Sequence, residues 1–273
     1  MLIDTHAHLN FNAYKNDFRD IIGRSLDNDI WMINVGSQYE TSKRAVEMTE
    51  NYNKGVYAAI GLHPIHLTSG IFKMKMDKEE SAFNKREEGF DVRKYRELVK
   101  NKTKVVAIGE IGLDYYYKPK TKIKLKTFKN IQKDVFLEQI NLAKELDLPI
   151  IFHCRMAHDE MIEIIENEKN LRGIIHCFTG NWEQAKRYIE MGFCLGFNGI
   201  IFKLDLDNII KKSPLDKIVI ETDCPYLTPP QELGRNEPVY VKHIADKIAT
   251  LRKIGIEEIS EITTENAKKL FGI

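Results

Sequence analysis

The chain has 273 residues, 43% of them hydrophobic and 30% charged, and 41 basic side chains against 40 acidic ones leave a net charge of +1. This composition excludes a disordered chain, and so even a balance leaves no global field to hold a polyanion, so any nucleic-acid contact must come from local patches. Four cysteines exclude a disulfide scaffold, the apolar runs at 148–152 and 192–197 are too short to span a membrane, and no secretory signal opens the chain, so the cytoplasm is the expected compartment.

In chain order, strands are predicted at 2–6, 31–35, 56–61, 105–109, 149–153, 173–176, 193–197 and 218–222. Helical patterns fall between them at 40–51, 135–146, 159–167, 182–191 and 239–253. The clearest is 135–146, where Phe136, Ile140, Ala143 and Leu146 recur at helical spacing. Near-continuous apolar strands, each followed by a helix, imply a parallel sheet buried on both faces. Eight such units in this length predict an α/β fold of the closed (β/α)8 TIM-barrel type rather than an open doubly wound sheet. No glycine-rich nucleotide loop follows any strand. With no repeat and no linker, residues 1–273 are read as one domain. Two segments break the rhythm. Residues 69–91, mixed in charge and poor in apolar side chains, are expected to form a surface insertion. Residues 118–133 hold seven lysines and no acid, and are expected to form a lysine-rich loop on the rim, either solvated or steering phosphate.

The informative residues are those that end strands. His6 and His8 lie two apart and so share a side, with Ala7 opposite. Glu110, His153, His176 and Asp223 end or follow four further apolar runs. In a barrel, these six polar groups would crowd one end, and burying them without partners would cost several kcal/mol each. A divalent cation removes the difficulty, since imidazole nitrogen and carboxylate oxygen suit zinc, manganese, iron or magnesium. Six ligands exceed the need of one ion, and a glutamate can bridge two, so a pair of divalent ions is expected. Two such ions can clamp the attacking and leaving oxygens of a phosphoryl displacement. Cys154, Cys177 and Cys224 each follow one of these residues and are expected to face the helix layer as small apolar groups.

The segments MLIDTHAHL, GLHP at 61–64, GEIGLDYY at 109–116, LAKELDLPIIFHCR at 142–155, HCFTG at 176–180, ETDCPYL at 221–227 and RNEP at 235–238 occur in that order. Together they resemble the TatD family of metal-dependent deoxyribonucleases, a branch of the amidohydrolase barrels, over nearly the whole chain. The resemblance implies a metal-dependent hydrolase that cleaves phosphodiester bonds of DNA, with RNA open as a substrate, by 3′ to 5′ exonuclease action on single strands. It implies His6 and His8 at a first metal position, Glu110 bridging, and His153 and His176 at a second. Asp223 matches the ligand that also activates water, so Asp223 and Glu110 are the expected catalytic pair. The departures are the two loop segments, which bear on substrate and partners rather than on chemistry.

Lesser candidates surround these. His63 is expected to contact substrate phosphate or support a ligand, and His66 to be a surface or turn residue. Arg155, two past His153, suits phosphate or a helix-entry salt bridge, and Arg235 is placed on the nucleic-acid backbone. Asp114 is expected to brace a ligand or its loop, Asn236 to cap a helix, and His158 and His243 to be no ligands. Tyr115–Tyr117, Phe178 and Trp182 are candidates either for base stacking or for packing. Two rival functions are another amidohydrolase-type reaction on an ester or amide, and a metal-loaded scaffold for a protein partner. Glu110 stands where phosphotriesterase-like barrels carry a modified lysine, which favours the nuclease. No membrane partner is expected, and a monomer is the default.

Overall fold

The structure is a computed structural model, and it describes residues 1–68, 71, 78–80, 89–100 and 103–273. Eight strands, β1 (Leu2–Ala7), β2 (Ile30–Val35), β3 (Val56–Ile60), β4 (Val105–Asp114), β5 (Ile150–Arg155), β6 (Gly173–Ile175), β7 (Cys194–Phe197) and β8 (Ile218–Ile220), lie side by side in chain order. All seven neighbouring pairs are parallel. The helices are α1 (Phe18–Asp27), α2 (Tyr39–Thr49), α3 (Val92–Val99), α4 (Lys122–Glu145), α5 (His158–Ile165), α6 (Trp182–Glu190), α7 (Asp207–Lys212), α8 (Val241–Arg252) and α9 (Ile256–Phe271). A single bridge, Ala7 to Cys224, brings β1 to the chain beyond β8 and nearly closes a (β/α)8 barrel, as the sequence predicts.

Alternation along the strands divides the apolar side chains between two layers. Ile3, Ile33, Ala59, Ala107, Ile151, Ile174 and Val219 pack together inside the barrel, with Ala267 and Phe271 of α9 against them. Ile60, Ile108, Ile150, Ile175, Ile218 and Ile220 belong to the layer shared with the helices. Among the described residues, no helix is long and apolar enough to cross a membrane.

The lysine-rich stretch 118–133 is a loop only as far as Thr121. Thr121 caps α4, its hydroxyl accepting the Lys124 N–H at 3.4 Å, and residues from Lys122 onward are helical. Phe128, Gln132, Phe136, Gln139 and Ile140 form the buried stripe, and the exposed lysines mask it in the sequence. Two members of that stripe are polar for a reason. Gln132 exchanges two hydrogen bonds with the Asp114 backbone (2.9 and 3.1 Å), and Gln139 does the same with Leu62 (2.7 and 3.0 Å). A helix thereby holds the two segments that carry Asp114 and His63. Most of the expected insertion at 69–91 lies outside the described residues. Lys78–Glu80 is described and docks on the rim, where Asn12 N–H donates to Glu80 O at 3.1 Å and Ala13 N–H to Glu79 O at 2.9 Å.

Candidate metal centre

The six strand-end residues converge at one end of the barrel. In β1 the register with β2 shifts between Asp4 and Ala7, yet His6 and His8 still meet, with Nε2 atoms 3.1 Å apart. In β4 the register with β5 shifts between Gly109 and Ile111, so Glu110 is the extra residue of a bulge, a device that re-aims a side chain. Gly109 lets the strands come this close, since a Cβ there would lie 2.5 Å from the Ile151 Cβ. Asp223, beyond β8, has a left-handed φ of 59°, a conformation that Asp tolerates better than most residues, and its N–H donates to His6 O at 2.8 Å.

All six side chains lie within 4 Å of at least one other. His6 Nε2 lies 3.5 Å from Glu110 Oε2 and 3.8 Å from Asp223 Oδ1, and His8 Nε2 lies 3.4 Å from Asp223 Oδ1. His176 Nε2 is 3.5 Å from Glu110 Oε1 and 4.0 Å from Asp223 Oδ1, and its ring stacks on that of His6 at 3.6 Å. His153 Nδ1 approaches Glu110 Oε1 to 2.6 Å, and its Nε2 lies 3.2 Å from Asp114 Oδ2. His6, Glu110 and His176 form one set whose ligand atoms lie within 4.8 Å of one another, and His6, His8 and Asp223 form a second.

The donor set fits a divalent cation. His8 Nδ1 donates to the Val35 carbonyl at 2.8 Å, which leaves Nε2, beside the Nε2 of His6, as the atom that can coordinate. Asp223 raises the pKa of this ring against burial, so Nε2 must first give up its proton. Burial and the neighbouring His176 hold the His6 pKa down, which keeps that ring neutral. Burial alone would raise the pKa of Glu110, but the imidazoles of His63, His153 and His176 hold it well below the usual glutamate value. Imidazole nitrogens and two carboxylates pointed at a common space suit a divalent cation. Burial pulls the pKa of His153 and His176 down, yet the surrounding carboxylates outweigh it. Glu110 and Asp114 carry His153 up to about 9, and Glu221, Asp223 and Glu110 carry His176 up to about 10. Both rings must therefore give up a proton before they can hold a metal.

His63 is brought to the same space, with Nε2 3.5 Å from Glu110 Oε1. Its Nδ1 accepts the Ile65 N–H at 2.9 Å, so Nε2 bears the hydrogen and the ring is a donor rather than a ligand. Burial first, then His153, lowers its pKa to about 3, so that donor is neutral. Asp114 touches His153 with one oxygen and accepts the Tyr116 N–H at 2.9 Å with the other.

Several expectations are corrected. His66 is buried, not on the surface, with Nε2 2.6 Å from Glu80 of the docked segment, which also takes the Ser37 hydroxyl. Arg235 does not reach outward for a phosphate. Its guanidinium lies 2.6 Å from Asp17, also donates to the Ala13 carbonyl, and sits 4.1 Å from the Tyr14 ring centre. Arg155 has no helix-entry salt bridge among the described residues, and its guanidinium lies 3.6 Å over the Tyr116 ring. Cys177 does not turn toward the helices, because its φ of 45° breaks the strand alternation and its sulfur joins His176 and Asp223. Asn236 caps no helix. It is buried, and its side-chain N–H groups donate to the Thr222 carbonyl at 2.9 Å and the Tyr226 carbonyl at 2.6 Å. Phe178 and Tyr115 are buried and Trp182 is partly buried, which leaves Tyr116 and Tyr117 exposed. Cys154 and Cys224 do pack in buried apolar clusters, and His243 pairs with Glu232 at 2.7 Å.

Two supporting acids are missed by the sequence reading. Glu221 is fully buried 2.8 Å from His176 Nδ1, and accepts the Cys177 N–H at 2.7 Å and the Asn198 amide at 3.1 Å. Asp4 accepts the Thr222 N–H (2.8 Å), the Thr222 hydroxyl (2.5 Å) and the His6 N–H (3.2 Å), tying β1 to β8. Both stand two residues before a candidate ligand, and the same alternation that pairs His6 with His8 would have found them.

The family model described as TatD related DNase matches residues 3–272. A Bacillus subtilis (strain 168) protein named as an uncharacterized metal-dependent hydrolase, YabD, is 43% identical, with all of both chains covered. The Homo sapiens deoxyribonuclease TATDN3 is 29% identical over 99% of this chain and 94% of its own. The crystal structure of YJJV, a TatD homolog from Escherichia coli K12, superposes with a TM-score of 0.81 at 27% identity, covering 100% of this chain and 98% of that one. The chain therefore belongs to the TatD related DNase family and is a metal-dependent hydrolase.

Proposed function

We propose that the protein hydrolyses phosphodiester bonds of DNA from the 3′ end of single strands, using two divalent ions. His6, His8, Glu110 and Asp223 would hold one ion, and Glu110, His153 and His176 the other. Such ions, when bound, neutralise phosphate charge and lower the pKa of water.

The side chains do the rest. His176 and then His8 hold the Asp223 carboxylate ionised against the opposing pull of burial, so it is able to take a proton from water. The neutral Nε2–H of His63 donates to a phosphate oxygen, where it offsets developing charge without itself titrating. Glu221 steers His176, and Asp114 steers His153. All six candidate ligands except His153 and Asp223 are buried, and those two are only partly exposed. That depth favours an unpaired end.

The observation that carries this reading is the meeting of four imidazoles and two carboxylates at one barrel mouth, with His6 Nε2 within 4 Å of His8, Glu110 and Asp223. The test is digestion of end-labelled oligonucleotides with Mg2+, Mn2+, Zn2+ or Fe2+, with and without chelator. Asp223→Asn is expected to abolish turnover. Hydrolysis that survives exhaustive chelation, or near-normal turnover in that variant, overturns the proposal.

A further inference from the structure

The barrel mouth carries one aromatic and cationic feature that the metal chemistry does not use. In the β4–β5 ladder, Gly112 pairs with His153 and Asp114 with Arg155. The ladder continues one step further, where Tyr115 N–H donates to Arg155 O at 2.9 Å. Arg155 lies two past His153 on β5, and Tyr116 follows two residues beyond the end of β4, so both stand beside the point where Asp114 and His153 meet at 3.2 Å. The Arg155 guanidinium lies 3.6 Å over the Tyr116 ring, and Tyr117 packs edge-on against that ring at 4.8 Å. Tyr116 is 50% exposed and Tyr117 53%, far more than aromatic side chains held for packing. The Asp114 carboxylate that touches His153 also takes the Tyr116 N–H, so the pair is fixed relative to the candidate centre.

The exposed charge that follows this pair along the chain has one sign. Lys118, Lys120, Lys122, Lys124 and Lys126 follow directly and are exposed, and among the described residues only Lys129 of the stretch is seen in an ion pair, with Glu160 at 2.6 Å. Flat rings, a guanidinium plane and a run of unneutralised lysines match bases on a phosphate backbone, because every base has a face to stack and every phosphate a charge to neutralise.

We infer that Arg155, Tyr116 and Tyr117 form a stacking platform for the terminal base or bases of a single strand, with the lysines at the start of α4 tracking its phosphates. This rests on the nuclease reading of the neighbouring centre. The platform takes any base, since every base has a face to stack, and it seats the strand end so that its last phosphate falls toward His153 and His63.

The test compares binding in chelator, by fluorescence anisotropy, of a labelled oligothymidylate of about eight nucleotides with an abasic phosphate chain of equal length and charge. The wild-type protein is expected to prefer the base-bearing chain by about 5- to 150-fold, as loss of one stacked base predicts. Tyr116→Ala is expected to bring that ratio to within about twofold of one, while Tyr116→Phe keeps it and so separates lost stacking from lost folding. Equal binding of the two chains by the wild type, or an unchanged ratio in Tyr116→Ala, overturns the platform. Hydrolysis by the wild type with divalent ions is read separately. Cleavage without base preference removes the platform alone, whereas base preference without cleavage supports the platform and removes the nuclease reading.

Discussion

Replacing Glu221 by glutamine asks whether a carboxylate outside the ligand set governs the strength of the centre. Glu221 is fully buried, sits 2.8 Å from His176 Nδ1, and accepts the Cys177 N–H and the Asn198 amide through the same Oε1. Gly196 makes the room, since a Cβ at that position would lie 2.6 Å from Oε2. Glutamine keeps the volume and one acceptor oxygen but removes the charge that makes His176 a strong base. Loss of such an outer partner typically weakens metal binding about 10- to 100-fold, or about 1.4–2.8 kcal/mol. Alanine does something different. It strands the Cys177 N–H and the Asn198 amide in a dry interior at about 1–3 kcal/mol each, so about 2–6 kcal/mol of stability is lost. The assay is calorimetric titration of the metal-free protein with Mn2+ or Zn2+, beside thermal unfolding. Glu221→Gln is expected to melt close to the wild type and bind metal one to two orders of magnitude more weakly, as set out above. Affinity within about twofold of wild type in a folded Glu221→Gln protein would refute the reasoning.

The docked segment and the RNEP motif give two further tests. Burial would raise the Glu80 pKa, but His66 and Ser37 hold it below the usual 4.5. A depressed carboxylate contributes stability above its unfolded value and loses it as pH falls through the folded one. Glu80→Gln is thus expected to melt below the wild type at pH 7, by about 1–3 kcal/mol, with the gap closing on acidification. A gap independent of pH would rule out the ion pair as its origin. Arg235→Met removes the contacts to Asp17, Ala13 and Tyr14, and is expected to cost about 1–2 kcal/mol while DNA turnover measured below the melting point stays near wild type. Collapse of turnover at an unchanged melting temperature would return Arg235 to the substrate.

The barrel was legible because its strands are apolar on both faces and the polar residues that end them stand out. Much of the helical layer was not. The buried face of α4 carries Gln132 and Gln139 where a core stripe should be apolar, and lysines cover the remainder, so its first half reads as loop. Those glutamines are polar because their partners are backbone groups of Asp114 and Leu62, which no periodicity can announce. In α9 the buried positions include Thr263, Thr264 and Ala267, which dilute the stripe, and the helix packs against the barrel interior rather than repeating the strand–helix rhythm.

At the centre, two-residue alternation is sound only while the strand stays regular. It holds for His6 and His8, fails for Cys177 with its left-handed φ, and cannot foresee that Glu110 is aimed by a bulge. Asp223 is the most demanding case, because its own left-handed φ must be held by its surroundings. Asp4 grips Thr222 through both its N–H and its hydroxyl, Asn236 takes the Thr222 carbonyl, and His6 O accepts the Asp223 N–H. These are the same contacts that draw β1 to β8. The seam that nearly closes the barrel thus also fixes His6, His8 and Asp223 relative to one another. Loosening the seam must therefore disturb the centre before the rest of the fold, since the seven other strand pairings make no use of it.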